Sequence, residues 1–248
     1  VTLMFSLDHY DAVSEAYLSG LEKLAAGGGD LTRVASVASF FVSRVDVAVD
    51  AALEEAGNRD LQGEIAIANA KAAYARFQAV FSDDRWAALK AQGARVQRPL
   101  WASTSTKNPA YPDTLYVDAL IGPHTVNTVP PATLSAFRDH GSATPTLEVG
   151  IDEAREQLSR LSELGIDLTA ITKDLQDAGV RAFADAYHIP IELCSKVSTF
   201  FEYVYGDQME LGNKVLDDLK SGIPERMKWG KVPITDKVTN TTHYVSAS

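Results

Sequence analysis

The chain has 248 residues and a mass of 26.8 kDa, with 46% hydrophobic and 23% charged residues. That is enough to bury a large core and too ordinary for collagen, a disordered tail or a disulfide scaffold. A net charge of −10 and a pI of about 4.9 argue against a nucleic-acid surface, which needs clustered Lys and Arg. An anion would have to be held by a few cations gathered in one pocket.

No stretch approaches the roughly 20 apolar residues that a membrane helix requires. The single cysteine, Cys194, can neither close an internal disulfide nor build a thiolate metal site, so a reducing, cytoplasmic setting is expected. The five histidines, His9, His124, His140, His188 and His243, lack metal-ligand spacing. Neither a metal nor a cofactor is expected.

In chain order, Val1–Ser6 (VTLMFS) reads as a buried strand with no polar lead-in. A chain that opens inside a core strand is expected to be a piece of a longer one, or to find its missing neighbours on another chain. Ser6 or Asp8 can cap a helix whose apolar positions are Val13, Tyr17, Leu21 and Leu24, ended by Gly27-Gly28-Gly29. Ala35–Ser43 is apolar, small and aromatic without a charge, which suits a strand covered on both faces.

Helical spacing then predicts a helix from Arg44 to Ala56. A second carries Leu61, Ile65, Ala68, Ala72, Ala75 and Ala79, and a shorter one lies around Trp86 and Leu89. Arg95–Ser103 is the third strand, and it empties into a Pro-punctuated polar loop through Asp113. Thr114–Leu120 is a short helix, Thr125–Val129 a fourth strand, and Pro130-Pro131 opens a helix through Phe137. Further helices carry Ala154, Leu158 and Leu161, then Leu168, Ile171 and Leu175. From about residue 189 the text changes character. The tail's acids and bases nearly cancel, and it offers one helix candidate near Gln208–Lys220 followed by Gly/Pro turns.

Strands alternating with helices predict a parallel sheet flanked by helices: about four βα units, half of an eight-stranded barrel or a small open sheet. Functional groups should then sit at the C-terminal strand ends. Two such ends are polar: Ser39 followed five residues later by Arg44, and Ser103 followed by Lys107. Two hydroxyls and two cations from adjacent units would make a compact phosphate or carboxylate site. Equally, Arg44 could lie at a solvated helix start and Lys107 could decorate a loop. Thr2 either faces a lumen or packs as a β-branched strand residue. No G-x-S-x-G, P-loop or dinucleotide fingerprint is present.

VTLMFSLDHYDAV, SVASFFVSRVD, IANAKAAYARFQAVF and RPLWASTSTKNPAYPDTLYVDALIGPHTVNTVPPATLSAF, in that order, resemble the second half of a transaldolase of the actinobacterial type, from Val1 to about Tyr187. The resemblance implies the C-terminal part of a (β/α)8 TIM barrel over residues 1–188, with 189–248 an unassigned tail. It implies transfer of a dihydroxyacetone unit between sugar phosphates, of the sedoheptulose 7-phosphate and fructose 6-phosphate class, through a Schiff base on a barrel lysine in the pentose phosphate pathway. Thr2 would orient the catalytic water. Ser39 and Arg44 of the S-x-F-x-x-R pattern would bind phosphate with Phe41 shaping the pocket, and Ser103 and Lys107 would add phosphate contacts.

The family's nucleophilic lysine belongs to the strand preceding Thr2 and is absent from this sequence, as are its proton-handling acids. Lys196 is the tail lysine in a strand-like context. Imine chemistry needs a desolvated Lys beside an acid, so the isolated chain is expected to be inactive. The alternatives are a non-catalytic sugar-phosphate-binding half barrel, with open sheet edges available for a homo-oligomer, and a structural protein whose tail fills the place of the lost strands.

Overall fold

A computed structural model describes residues 3–187, 232–236 and 241–245. The chain divides into two compact units, Val1–Ala182 and Phe183–Ser248.

In the first unit, helix α1 (Leu7–Ala26) starts where Ser6 Oγ accepts the His9 amide at 3.2 Å, a side-chain cap for an otherwise orphan N–H. It stops at Gly27, and Gly28 follows with φ +73°, in the left-handed region that glycine enters without a Cβ penalty. Strand β1 (Val37–Phe41) leads into α2 (Ser43–Glu55), α3 (Ile65–Val80) and α4 (Asp84–Ala91). Strand β2 (Arg98–Ala102), helix α5 (Leu115–Ala119) and strand β3 (Val126–Asn127) follow. Helices α6 (Pro131–His140), α7 (Ile151–Glu163) and α8 (Leu168–Tyr187) come next.

The three strands form one parallel sheet in the order β1-β2-β3, with Ser39 opposite Leu100 and Phe41 opposite Ala102. Alternation along β1 sends Ala38 and Phe40 into the core and leaves Ser39 and Phe41 half-buried on the other face. The buried face meets Tyr10 of α1, Val45 and Val49 of α2, and Ile65 and Tyr74 of α3. Phe40 lies edge-on to Trp101 with ring centroids 6.2 Å apart, and the Trp101 indole N–H donates to the Leu120 carbonyl at 3.1 Å. Helix α3, rich in alanine and buried nearly all round, packs against α1, α2 and α7; small side chains let helices approach closely.

Parallel strands joined through helices are borne out, with shorter strands than expected. Ala35–Ser43 contracts to Val37–Phe41 because Ser43 is already the first residue of α2. Arg95–Ser103 contracts to Arg98–Ala102, and Thr125–Val129 to two residues. The expected first strand is seen in part. Of Val1–Ser6, Val1 and Thr2 lie outside the described residues, and the rest contributes a single parallel bridge, Met4 to Phe40. It is fastened by Met4 N–H to Ser39 O at 3.2 Å, Phe41 N–H to Met4 O at 2.9 Å, and the buried Asn69 amide donating to Phe5 O at 2.8 Å. Among the described residues, the expected units appear as three paired strands preceded by a segment bridged in parallel to β1.

In the second unit β4 (Val232–Asp236) pairs antiparallel with β5 (Thr241–Val245), Val232 opposite Val245. No strand was expected at these positions, which read as turns beyond the helix candidate. The expected helix near Gln208–Lys220 and Lys196 lie outside the described residues. Among the described residues, no helix is long and apolar enough to cross a membrane.

Candidate functional site

The C-terminal ends of β1 and β2 are joined beyond the last strand residues. Val42 N–H donates to Ala102 O at 2.9 Å and Ser43 N–H to Ser103 O at 3.0 Å. This knits the start of α2 to the loop that leaves β2. Ser103 takes φ +57°, a left-handed backbone uncommon for a residue with a Cβ and frequent where a site is held under strain. Its hydroxyl stands 2.9 Å from that of Ser43. Next to it, the buried Thr104 donates to Asn127 Oδ1 of β3 at 2.7 Å, so the polar rim continues across the third strand.

Arg44, one residue into α2, is exposed, and its guanidinium carbon lies 5.6 Å from the Phe41 ring centroid. An arginine over an aromatic face keeps its charge while losing rotamer freedom. Phe41 is thus the platform under Arg44, and it is braced in turn by Phe5 at 5.2 Å. Lys107 is exposed and donates to Ser105 Oγ at 2.8 Å. It lines a cavity of about 240 Å³ together with Asp46, Val47, Asp50, Tyr111 and Tyr116, so it stands beside the first two turns of the helix that Arg44 begins. Arg76 and Arg85 are each held by carboxylates, whereas among the described residues no ion pair engages Arg44 or Lys107. The start of α2 adds the positive end of its dipole.

Phe41 and Arg44 thus meet at the start of α2, Ser103 is joined to that start through Ser43, and Lys107 lies beside Asp46 and Asp50 farther along the same helix. Ser39 is two residues back on the same face as Phe41. Thr2 lies outside the described residues. Sequence reasoning missed Ser43, which is fully buried and bonded to Ser103; its signal was a hydroxyl directly before Arg44.

It also missed a tyrosine–aspartate set on α2. Asp46, 1% exposed, accepts the Ala66 amide at 2.7 Å and the Tyr116 hydroxyl at 2.8 Å. Burial pushes its carboxyl up to about 7 despite these two bonds, which act the other way. Asp50 accepts the Gly63 amide at 3.0 Å and the Tyr111 hydroxyl at 2.7 Å. Burial first, then the carboxylates beside them, raises both phenols above the ordinary tyrosine value.

A larger cavity of about 540 Å³ opens at the other end of the strands, lined by Tyr74, Phe77, Phe81, Trp86 and His124. Ala94 and Val96, just ahead of β2, also line it. It sits where α/β sheets rarely place chemistry.

Residues 1–192 match the family model described as transaldolase/fructose-6-phosphate aldolase. The chain is 50% identical over 192 residues to a transaldolase from Frankia alni, covering 76% of this chain and 52% of that protein. It is 50% identical over 191 residues to a transaldolase from Mycolicibacterium smegmatis, at 75% and 52% coverage. With a transaldolase from Thiobacillus denitrificans it shares 50% over 190 residues, at 75% and 53%. The chain spans about half the length of these curated relatives.

Proposed function

We propose, from the premise that the chain belongs to the transaldolase/fructose-6-phosphate aldolase family, that it carries the phosphate-holding side of a sugar-phosphate site. The observation that supports this reading most is the juxtaposition at one strand end. Arg44 is laid over Phe41, Ser103 is bonded to Ser43, and Lys107 lies alongside the same helix. A phosphate monoester needs fixed donors and positive charge converging on one point. Two cations that form no ion pair among the described residues, and two hydroxyls on adjacent βα units, are groups of the kind that would supply it. Ser39 faces the same side as Phe41 and would reach the sugar or its phosphate; Thr2, by the family resemblance, would orient a water.

In the complete reaction, a lysine amine would condense with the ketose carbonyl and lose water to form a Schiff base. The C3–C4 bond would break to release an aldose phosphate. The three-carbon dihydroxyacetone unit left on the amine would add to a second aldose phosphate, the glyceraldehyde 3-phosphate of the pentose phosphate pathway, and water would then free the lysine. Arg44, Ser103 and Lys107 would anchor the far phosphate so that the carbonyl end is presented to that amine. By the family resemblance, that lysine belongs to a strand ahead of Thr2. A polypeptide of these 248 residues is therefore proposed to bind sugar phosphates without turning them over. Homo-oligomerisation through the open sheet edges belongs to the same proposal, since unpaired strand edges invite pairing.

Two measurements decide it. Fructose 6-phosphate and inorganic phosphate should each raise the melting temperature, and Arg44→Ala should abolish both shifts; absence of any shift in the parent chain overturns the phosphate reading. Borohydride trapping with fructose 6-phosphate should leave the mass unchanged, and a stable adduct on any lysine overturns the proposed inactivity.

A further inference from the structure

The loop from Ser103 to Asp113 carries Ser103 at one end and Lys107 near its middle, and Pro109 and Pro112 stiffen only the part beyond that lysine. The chain turns where Tyr111 N–H donates to Asn108 O at 3.1 Å and Ala110 N–H to Asn108 Oδ1 at 3.0 Å. From that turn Tyr111 reaches back to α2 and donates to Asp50 Oδ2 at 2.7 Å. Asp50 is itself immobilised. Its Oδ1 accepts the Gly63 amide at 3.0 Å, and its carbonyl accepts the Gln62 side chain at 3.2 Å.

Gly63 has φ +77°, and a Cβ placed there would lie 3.0 Å from Cζ of the Tyr111 ring. The glycine thus gives the backbone its left-handed turn and leaves space for the phenol. One helical turn earlier the pattern repeats, with Tyr116 bonded to Asp46 at 2.8 Å and Asp46 bonded to the Ala66 amide at 2.7 Å. Two aspartates four apart lie on one face of a helix, and here they receive two tyrosines that flank the end of the loop.

Asp46, Asp50 and Lys107 line one cavity, yet the ammonium rests on Ser105 Oγ and forms no described ion pair with either carboxylate. Both oxygens of Asp50 already accept hydrogen bonds. We infer that Tyr111 and Asp50 are positioning residues of the anion site: their bond fixes the loop that bears Lys107 and keeps the carboxylate from capturing the ammonium. The inference rests on the proposed role of Lys107 as a phosphate contact.

The test is inorganic phosphate binding to the full chain by titration calorimetry. Tyr111→Phe keeps the ring and removes the donor, so it should weaken binding about three- to tenfold, the range that one hydrogen bond spans. Adding Asp50→Asn should recover part of that loss, because the competing charge is gone. In a Lys107→Met background, Tyr111→Phe should change nothing. A merely structural role gives an equal loss with and without Lys107 and no recovery, and either result overturns the inference. Should the parent chain take no phosphate, the phosphate reading falls on its own. Amide exchange over residues 104–110 then judges the loop. Faster exchange in Tyr111→Phe sustains its fixing by this bond, and unchanged exchange overturns it.

Discussion

Asp46 offers the sharpest handle on this fold. Its carboxyl is buried and titrates near 7 instead of its ordinary 3.8, so the folded chain holds that proton more tightly than the unfolded chain does. Between these two values the unfolded state has lost the proton and the folded state has not. Raising the pH therefore draws the equilibrium toward unfolding by about 1.4 kcal/mol per pH unit. The stability that Asp46 contributes is fully present below pH 4 and is lost as pH climbs through 7. Integrated from pH 5 to pH 8 with those two values, the loss is about 2.5 kcal/mol.

Asp46→Asn keeps the shape and an oxygen for the Ala66 amide while removing the titration. Urea unfolding of both proteins at pH 5, 6, 7 and 8 isolates the effect, because every other titrating group is common to the pair. The variant should gain about 2.5 kcal/mol relative to the parent across that range. Parallel pH profiles would refute the reasoning, since they would mean that Asp46 is ionised in place and that Tyr116 and Ala66 fully support the charge.

Asn69→Ala removes the donor that pins Phe5 and leaves a buried carbonyl unsatisfied. It should cost about 1–3 kcal/mol in urea unfolding and speed amide exchange at Met4 and Phe41; an unchanged midpoint counts against the anchoring. Trp101→Ala removes the edge contact to Phe40 and the indole donor to Leu120 O. The expected loss is about 3–5 kcal/mol, and a loss under 1 kcal/mol would place the core elsewhere.

How much of this was legible beforehand follows from where the information sits. The charge-free run ASFF marked β1, because a strand covered on both faces cannot carry unpaired charge, and the apolar PLWA behind Arg98 marked β2. Ser43 was misassigned because a hydroxyl at a strand end and a hydroxyl at a helix start look alike; only the Ser103 bonds distinguish them. The opening segment read as a strand on its apolar content, but a ladder also needs partners, and Phe40 supplies one bridge.

Ser39, Arg44, Ser103 and Lys107 were proposed through strand-end logic and family resemblance. The tyrosine–aspartate pairs were not, since Tyr111 and Asp50 are 61 positions apart and Tyr116 and Asp46 are 70. No local pattern records such partners. The tail's two strands were missed for a related reason. VPITD carries a proline and an aspartate, residues usually depleted in strands.

The twisted backbone of Ser103 carries a consequence for the chain's history. Glycine would sit there with less discomfort, and selection for heat resistance alone would drift the position toward it, discarding the hydroxyl on the way. Laboratory evolution under warmth, with no demand for ligand, should erode position 103 before its neighbours. A thermostability campaign would then trace where the interests of folding and of recognition part company.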